Sequence, residues 1–335
     1  MLRIHTLLIA IAIAFLFQPM VFAADQKPKR LTIATWNLEW FYDAQQSDNQ
    51  SKLSREKSAP SEAEWNWKLD QVARVINEID PTILALQEVE NRLVLEALTK
   101  KLNSKYRKYF RIAYIRGSDT FTEQDVAIIY RSGLVHYRRH ERSEDIRDNK
   151  KEYYNLTKHL VGKFEWGKGK DKEELTVVTA HLRARADAED IRKKQARLLH
   201  EWIGEELIGG ENVVVLGDFN TEEDAGHVGK QSDMAVLLGH DTKTTEDDLF
   251  DLNRNINEGY RETHVSGGQF DRIMASRSML EDERRKKGDL VFSQIRTAMS
   301  LVVQGERDRG RYYEIPRNER DISDHCPVVA DFLFK

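Results

Sequence analysis

The sequence predicts one α/β domain, and three observations predict it. Short apolar runs of strand length alternate with stretches whose apolar residues recur every three or four positions. No linker rich in Pro, Gly or Ser divides the 335 residues, and no internal repeat is visible. The composition, 40% apolar and 32% charged with a net charge of −4, is that of a chain able to bury a large core. It excludes a disordered acidic protein and a polytopic membrane protein. The charge balance speaks against a surface coated in positive charge for tight duplex binding. With Cys326 the only cysteine, disulfides are excluded and core packing must supply the stability.

Residues 1–23 are set apart from the domain, which spans 24–335. Arg3 is followed by eleven unbroken apolar residues, Leu7 to Phe17, then Pro19 and the small residues Ala23 and Ala24. This is the pattern of a cleavable signal peptide, so export to the periplasm or medium is expected. The apolar run is well short of the roughly 20 residues of a membrane span, and no cysteine follows it for a lipid anchor.

The elements follow in order. Leu31 to Thr35 is a buried strand, and residues 43–64, rich in Gln, Ser, Asn and Lys, read as a surface loop. Leu69, Val72, Ile76 and Ile79 mark an amphipathic helix that Asp80-Pro81 ends. Thr82 to Gln87 is a strand and Asn91 to Asn103 a helix. Tyr109 to Ile115, Val126 to Tyr130 and Leu156 to Phe164 are strands; residues 138–152, eleven of fifteen charged with mixed sign, are a solvated loop. Leu175 to Thr179 leads a strand into His181, and Ile191, Leu198, Leu199, Trp202 and Ile203 give the next helix its apolar face. Val213 to Leu216, Phe270 to Met274, Leu290 to Phe292 and Val328 to Phe334 are the remaining strands.

Polar residues stand where these apolar strands end. The strands run into Asn37, Glu88, His181, Asp218 with Asn220, and Asp271, while Ser323-Asp324-His325 precedes the last one. Any one of them has a bland explanation, such as a turn former or a helix N-terminal carboxylate. Together they describe a rim of functional groups on a rigid scaffold. Carboxylates and amides form an oxygen donor set suited to Mg²⁺ or Mn²⁺, and two histidines remain for proton chemistry.

The ordered motifs TWNLEW, LQEVE, TAHL, LGDFN and SDH resemble the endonuclease/exonuclease/phosphatase superfamily, over about Leu31 to Phe334. The opening Asn-Leu-Glu-Trp is similar to exported bacterial, endonuclease-like members. The resemblance implies a four-layer α/β sandwich, two mixed β-sheets face to face with helices outside. It implies that Asn37, Glu88 and Asp324 hold the metal, that Asp218 and Asn220 lie beside the scissile phosphate, and that Asp271 orients His325. Glu39 stands where some members have a metal-contacting acid and others a basic residue, which leaves a metal contact and a rim charge both open. Deoxyribonuclease-like members keep a His at the position of His181, and apurinic/apyrimidinic endonucleases do not. Those members also place a Glu before the strand that reads VAIIYR here; Asp125 is the expected partner of His181 in its place.

Phosphodiester hydrolysis needs an activated water, neutralised phosphate oxygens and a protonated leaving oxygen. A cation on Glu88 and Asp324 meets the second need; His325 is expected to take a proton from water and His181 to protonate the leaving oxygen, roles the two can exchange. Lys105 to Arg116 carries five basic residues and four aromatics, and its period-two pattern reads as a strand with Phe110, Ile112 and Tyr114 inward. Arg307, Arg309, Arg311, Tyr312 and Tyr313 form a better candidate for phosphate contact. The expected substrate is DNA, with a phosphatase or phospholipase C-type ester as the alternative and a catalytically silent binding module as a third. No stable membrane association or protein partner is expected, and the chain is expected to act as a monomer.

Overall fold

The computed structural model of the chain describes residues 27–140, 155–225, 227–280, 290–303 and 312–335. The expected signal segment, most of the charged segment 138–152 and Arg307, Arg309 and Arg311 lie outside the described residues.

One sheet is built from β1 (Arg30–Phe41), β2 (Ile83–Val89), β3 (Arg111–Ala113), β4 (Asp125–Tyr130), β11 (Leu290–Thr297) and β12 (Val328–Phe334). The other holds β5 (Leu134–Arg138), β6 (His159–Trp166), β7 (Glu173–His181), β8 (Val213–Asp218), β9 (Leu249–Asp251) and β10 (Asp271–Ser276). Their orders are β11-β12-β1-β2-β4-β3 and β5-β6-β7-β8-β10-β9. Each sheet is mixed for the same reason: its two central strands, β1 with β2 and β7 with β8, run parallel, and their outer neighbours run antiparallel.

Alternation along the strands decides the layers. Leu31, Ile33, Ile83 and Ala85 face inward and pack on Val177, Val214, Leu216 and Ile273 of the opposite sheet. The intervening residues Ala34, Trp36, Leu84 and Leu86 face outward. They meet the apolar stripes of α2 (Glu62–Ile79) and α3 (Arg92–Lys105), which follow the short α1 (Lys52–Lys57). Behind the second sheet, Val178, Val213 and Val215 pack on Leu199 and Ile203 of α4 (Glu189–Ile208) and on α5 (Asp233–Leu237). This is the expected four-layer sandwich.

The segment 43–64 differs from the loop expected of it. Ser51 caps α1 by accepting from the Ser54 N–H, and Ser61 caps α2 through the Glu64 N–H. Such caps stabilise short helices that polar composition hides. The helix α2 ends as expected, at Asp80, whose φ of +53° is the left-handed stop before Pro81. Around β3, Phe110, Ile112 and Tyr114 pack on the helix-side core and Arg111 is exposed, so the alternating reading of Lys105 to Arg116 holds. Cys326 is buried. Among the described residues no helix is long and apolar enough to cross a membrane.

Candidate active site where the two sheets meet

In the second sheet, β8 ends in Asp218, and its in-register neighbours are His181 on β7 and Asp271 on β10. Three adjacent strands therefore end in an imidazole and two carboxylates side by side. Gly217 makes this approach possible. Its φ is +148°, and a Cβ there would lie 1.9 Å from the Ala180 carbonyl oxygen. Gly217→Ala is expected to cost at least about 2–3 kcal/mol, from backbone strain plus the clash. Denaturant unfolding checks this, and a wild-type midpoint would show that β7 and β8 can part without loss.

In the first sheet, Asn37 on β1 pairs with Gln87 on β2, after which both strands break register. Glu88 lies in the bulge with φ +58°, and Glu39 and Trp40 on the facing strand have φ of +48° and +51°. Bulges re-aim side chains, and non-Gly residues at positive φ cost energy that the surroundings must offset. Here the Trp40 N–H donates to Glu88 Oε2 at 2.9 Å and the Glu39 N–H to Asn37 Oδ1 at 2.9 Å. The segment before β12 is tied to the same strand: Ser323 Oγ donates to the Asn37 carbonyl at 2.8 Å, and Trp36 Nε1 to the His325 carbonyl at 2.9 Å.

The two sheet ends join at Asn37. Its Nδ2 lies 3.2 Å from Glu88 Oε1, 2.9 Å from Asp218 Oδ2 and 3.4 Å from His325 Nε2. Below this junction, Gln87 Nε2 donates to Thr179 Oγ1 of the other sheet at 3.1 Å, closing the gap with a buried bond. His325 Nδ1 lies 2.7 Å from Asp271 Oδ2, leaving Nε2 facing Asp218 and Asp324, each 3.8 Å away. His181 Nε2 lies 3.4 Å from Asp218 Oδ2. Asn220, at φ +49°, donates its N–H to Asp218 Oδ1 and its Nδ2 to the Leu182 carbonyl.

The electrostatics divide the site into two poles. Glu39, Glu88 and Asp324 crowd together: burial, reinforced by Asp324, pushes Glu39 up to about 8 and raises Glu88. For Asp324, burial is outweighed by His264 and His325, and its carboxyl falls below the usual range. Burial opposes protonation of His325, yet Asp271 and Asp218 hold its pKa well above the ordinary value. His181 is pushed down to about 3 by burial, which the charge of Asp218 only partly offsets. At neutral pH one imidazole is charged and the other is not.

One expectation needs correction, and two residues take a more definite place. Asp125 does not meet His181: its carboxylate accepts from the Tyr114 hydroxyl at 2.5 Å and the Gly117 N–H at 2.7 Å, the groups nearest the start of β4. His181 Nδ1 is buried with no hydrogen-bond partner among the described residues. Asn37 donates Nδ2 to the carboxylates of Glu88 and Asp218, while its oxygen accepts the Glu39 N–H and keeps a second lone pair; a flipped amide would set oxygen against two acids. Glu39 is no rim charge, because its Oε2 accepts the Asp324 N–H at 2.9 Å.

The sequence reading missed three residues near the site. Lys68, on α2, is 1% exposed; its ammonium donates to the Glu39 carbonyl at 3.2 Å and lies 4.1 Å from the Tyr312 ring centre. The signal for it was a lysine inside the apolar stripe of a helix. Lys158 is held by Asp119 and Gln124, and its charge acts on both Glu88 and His181. His264 lies against His325, with ring centres 4.6 Å apart, and no strand end announced it. Tyr312 and Tyr313 line a groove with Trp40, Lys52 and Lys57 that opens beside Glu39.

The donor set fits a hard divalent cation. Glu88, Glu39 and Asp324 supply carboxylate oxygens, and Asp324 Oδ1 is buried without a hydrogen-bond partner. The cluster His264, Asp324 and His325 brings ligand atoms within 4.8 Å of one another, as does Asp218, Asp271 and His325.

Known proteins share this fold. A humanised D. rerio TDP2 is 16% identical with a TM-score of 0.56, aligned over 91% of this chain and 99% of its own. The human Nocturnin catalytic domain with bound sulfate is 15% identical with a TM-score of 0.56, over 92% and 96%. An endonuclease/exonuclease/phosphatase from Bacteroides vulgatus is 15% identical with the same TM-score, over 92% and 100%. At such identities the likeness concerns the fold alone. No curated protein matches. The model of the Endonuclease/Exonuclease/phosphatase family matches residues 34–325, a span holding every strand-end residue from Asn37 to His325. The chain belongs to the endonuclease/exonuclease/phosphatase family, whose members are metal-dependent phosphoesterases.

Proposed function

We propose that the chain is an exported phosphodiesterase that hydrolyses nucleic acid, DNA in the first place, with Mg²⁺ or Mn²⁺ as its cation. The observation that carries the reading is the Asn37 amide, which donates to both the Glu88 and the Asp218 carboxylates, 3.2 and 2.9 Å away. A cation pole and a proton-transfer pole thus flank one place for a phosphate. Glu88 and Asp324, with Glu39, would hold the cation, which when bound would neutralise phosphate oxygens.

The chain's own residues divide the remaining work. His325, kept protonated by Asp271, presents Nε2–H to the phosphate, where it opposes the charge that develops and gives its proton to the leaving oxygen. That reverses its expected role as acceptor of a proton from water. Asp218, fixed by Asn37 and the Asn220 N–H, is the acceptor for that proton, with oxygens already held in place. His181, neutral and 3.4 Å from Asp218, orients this carboxylate. Retention of this full set gives a silent binding module little support, since contacts alone do not require it.

Support for nucleic acid is the groove beside Glu39, whose lining sets the rings of Trp40, Tyr312 and Tyr313 among Lys52, Arg55 and Lys57, with Glu56 and Glu314 also present. One structural neighbour, a D. rerio TDP2, is complexed with a single-stranded DNA product. The test is incubation of the purified chain with plasmid DNA, RNA, sphingomyelin and bis(p-nitrophenyl) phosphate, with Mg²⁺ and with EDTA. DNA nicking that needs Mg²⁺ is expected. Hydrolysis of the lipid while both nucleic acids stay intact would replace the reading with the phospholipase C-type alternative.

Export is part of the proposal. Protein recovered outside the cytoplasm is expected to begin at Ala24 or Asp25 on N-terminal sequencing. Met1 retained on a membrane-bound product would overturn it.

A further inference from the structure

We infer that His264 is a positioning residue that sets the Asp324 carboxylate for the cation before the cation arrives. The inference rests on the cation pole described above. The segment around His264 is bolted to the Asp324 segment: the Val265 N–H donates to the Asp324 carbonyl at 2.9 Å, and the Cys326 N–H to the Thr263 carbonyl at 2.7 Å. Thr263 Oγ1 also accepts the Asp271 N–H at 3.0 Å, so one short stretch fixes Asp324, His325 and Asp271 together.

The tautomer of His264 follows from its own neighbours. Nδ1 accepts the Ser266 N–H at 3.1 Å and lies 2.6 Å from Ser266 Oγ. With Nδ1 an acceptor, the proton of the neutral ring sits on Nε2, which lies 3.5 Å from Asp324 Oδ2. Two rings fix its plane: His325 edge-on at 4.6 Å and Phe270 at 5.0 Å. Oδ2 is thereby directed to His264, while Oδ1 is buried with no hydrogen-bond partner among the described residues, His325 Nε2 standing 3.8 Å away. A carboxylate with one oxygen held and the other engaged in no hydrogen bond is preorganised as a ligand, the service that outer partners render to metal sites.

The test is Mn²⁺ binding to the full chain without substrate, followed by electron paramagnetic resonance. His264→Leu is expected to weaken Mn²⁺ binding about 10–100-fold. His264→Gln should recover most of that loss, because its amide can accept from Ser266 and donate to Asp324. With saturating Mn²⁺, kcat of the Leu variant should return toward that of the parent chain, while the Mn²⁺ concentration for half activity stays displaced. Thermal unfolding without metal establishes that each variant is folded. Unchanged affinity in a folded Leu variant, or equal losses for Leu and Gln, would overturn the inference. So would nitrogen hyperfine coupling in the parent that the Leu variant lacks, since His264 would then be a ligand. A parent chain that binds no Mn²⁺ would remove the cation pole itself, a different and prior failure.

Discussion

Chelation with EDTA is expected to abolish hydrolysis, and Mg²⁺ or Mn²⁺ to restore it. The reason is that Glu39, Glu88 and Asp324 share a buried place: burial first, and the charge of Asp324 second, raises Glu39 to about 8 and Glu88 in the same direction. Carboxylates held so close repel one another unless a proton or a cation lies among them. Glu88→Gln keeps the shape that accepts the Trp40 N–H but removes a charge, and the cation requirement should rise by at least about 10–100-fold. A second readout needs no substrate. Mg²⁺ at about 100 times its Kd should stabilise the parent chain by about 2.7 kcal/mol, and the Glu88→Gln chain by much less at the same concentration. Full activity in EDTA, with an unfolding temperature indifferent to Mg²⁺, would dismiss the cation pole.

Loss of His325 should cost roughly 10²–10⁴ in turnover as His325→Ala. Asp271→Asn should reproduce much of that loss, because the 2.7 Å bond to Nδ1 both orients the ring and keeps it charged. The pH dependence has a definite sign. Asp271 and Asp218 raise His325 above its ordinary value, so the active charged form persists as pH rises and is lost only above that raised pKa. Removing the Asp271 charge lowers the pKa, and the alkaline limb of the Asp271→Asn profile should move to lower pH. His181→Ala with His325→Ala should lose less than the product of the single losses, since both act through Asp218. Variants that unfold at lower temperature yet retain near-normal turnover per folded molecule would make these structural histidines.

Much of the site was legible because strands announce their ends. An apolar run that stops at Asn37, Glu88, His181 or Asp218, or starts at Asp271, marks both the strand and the group it delivers. Register then did the rest in the second sheet, where the ends of β7, β8 and β10 align. Asp125 shows the limit of that logic. It too begins a strand, but its carboxylate is taken by Tyr114 and Gly117, a local pairing that spacing cannot foresee.

By itself the sequence determined an α/β chain, its strand-end groups and, through motif order, the family to which they belong. Local periodicity and short motifs are properties of neighbouring residues, and the chain carries them whether or not it is folded. Tertiary structure decided which groups meet. Asn37 and Asp218 stand 181 positions apart and touch only because the two sheets pack face to face. It also decided charge: His181 and His325 are the same residue type, and one is neutral and the other protonated because their surroundings differ in buried carboxylates. Lys68 and His264 follow the same rule. Neither ends a strand, and each reaches the site by a path through space that no spacing along the chain encodes.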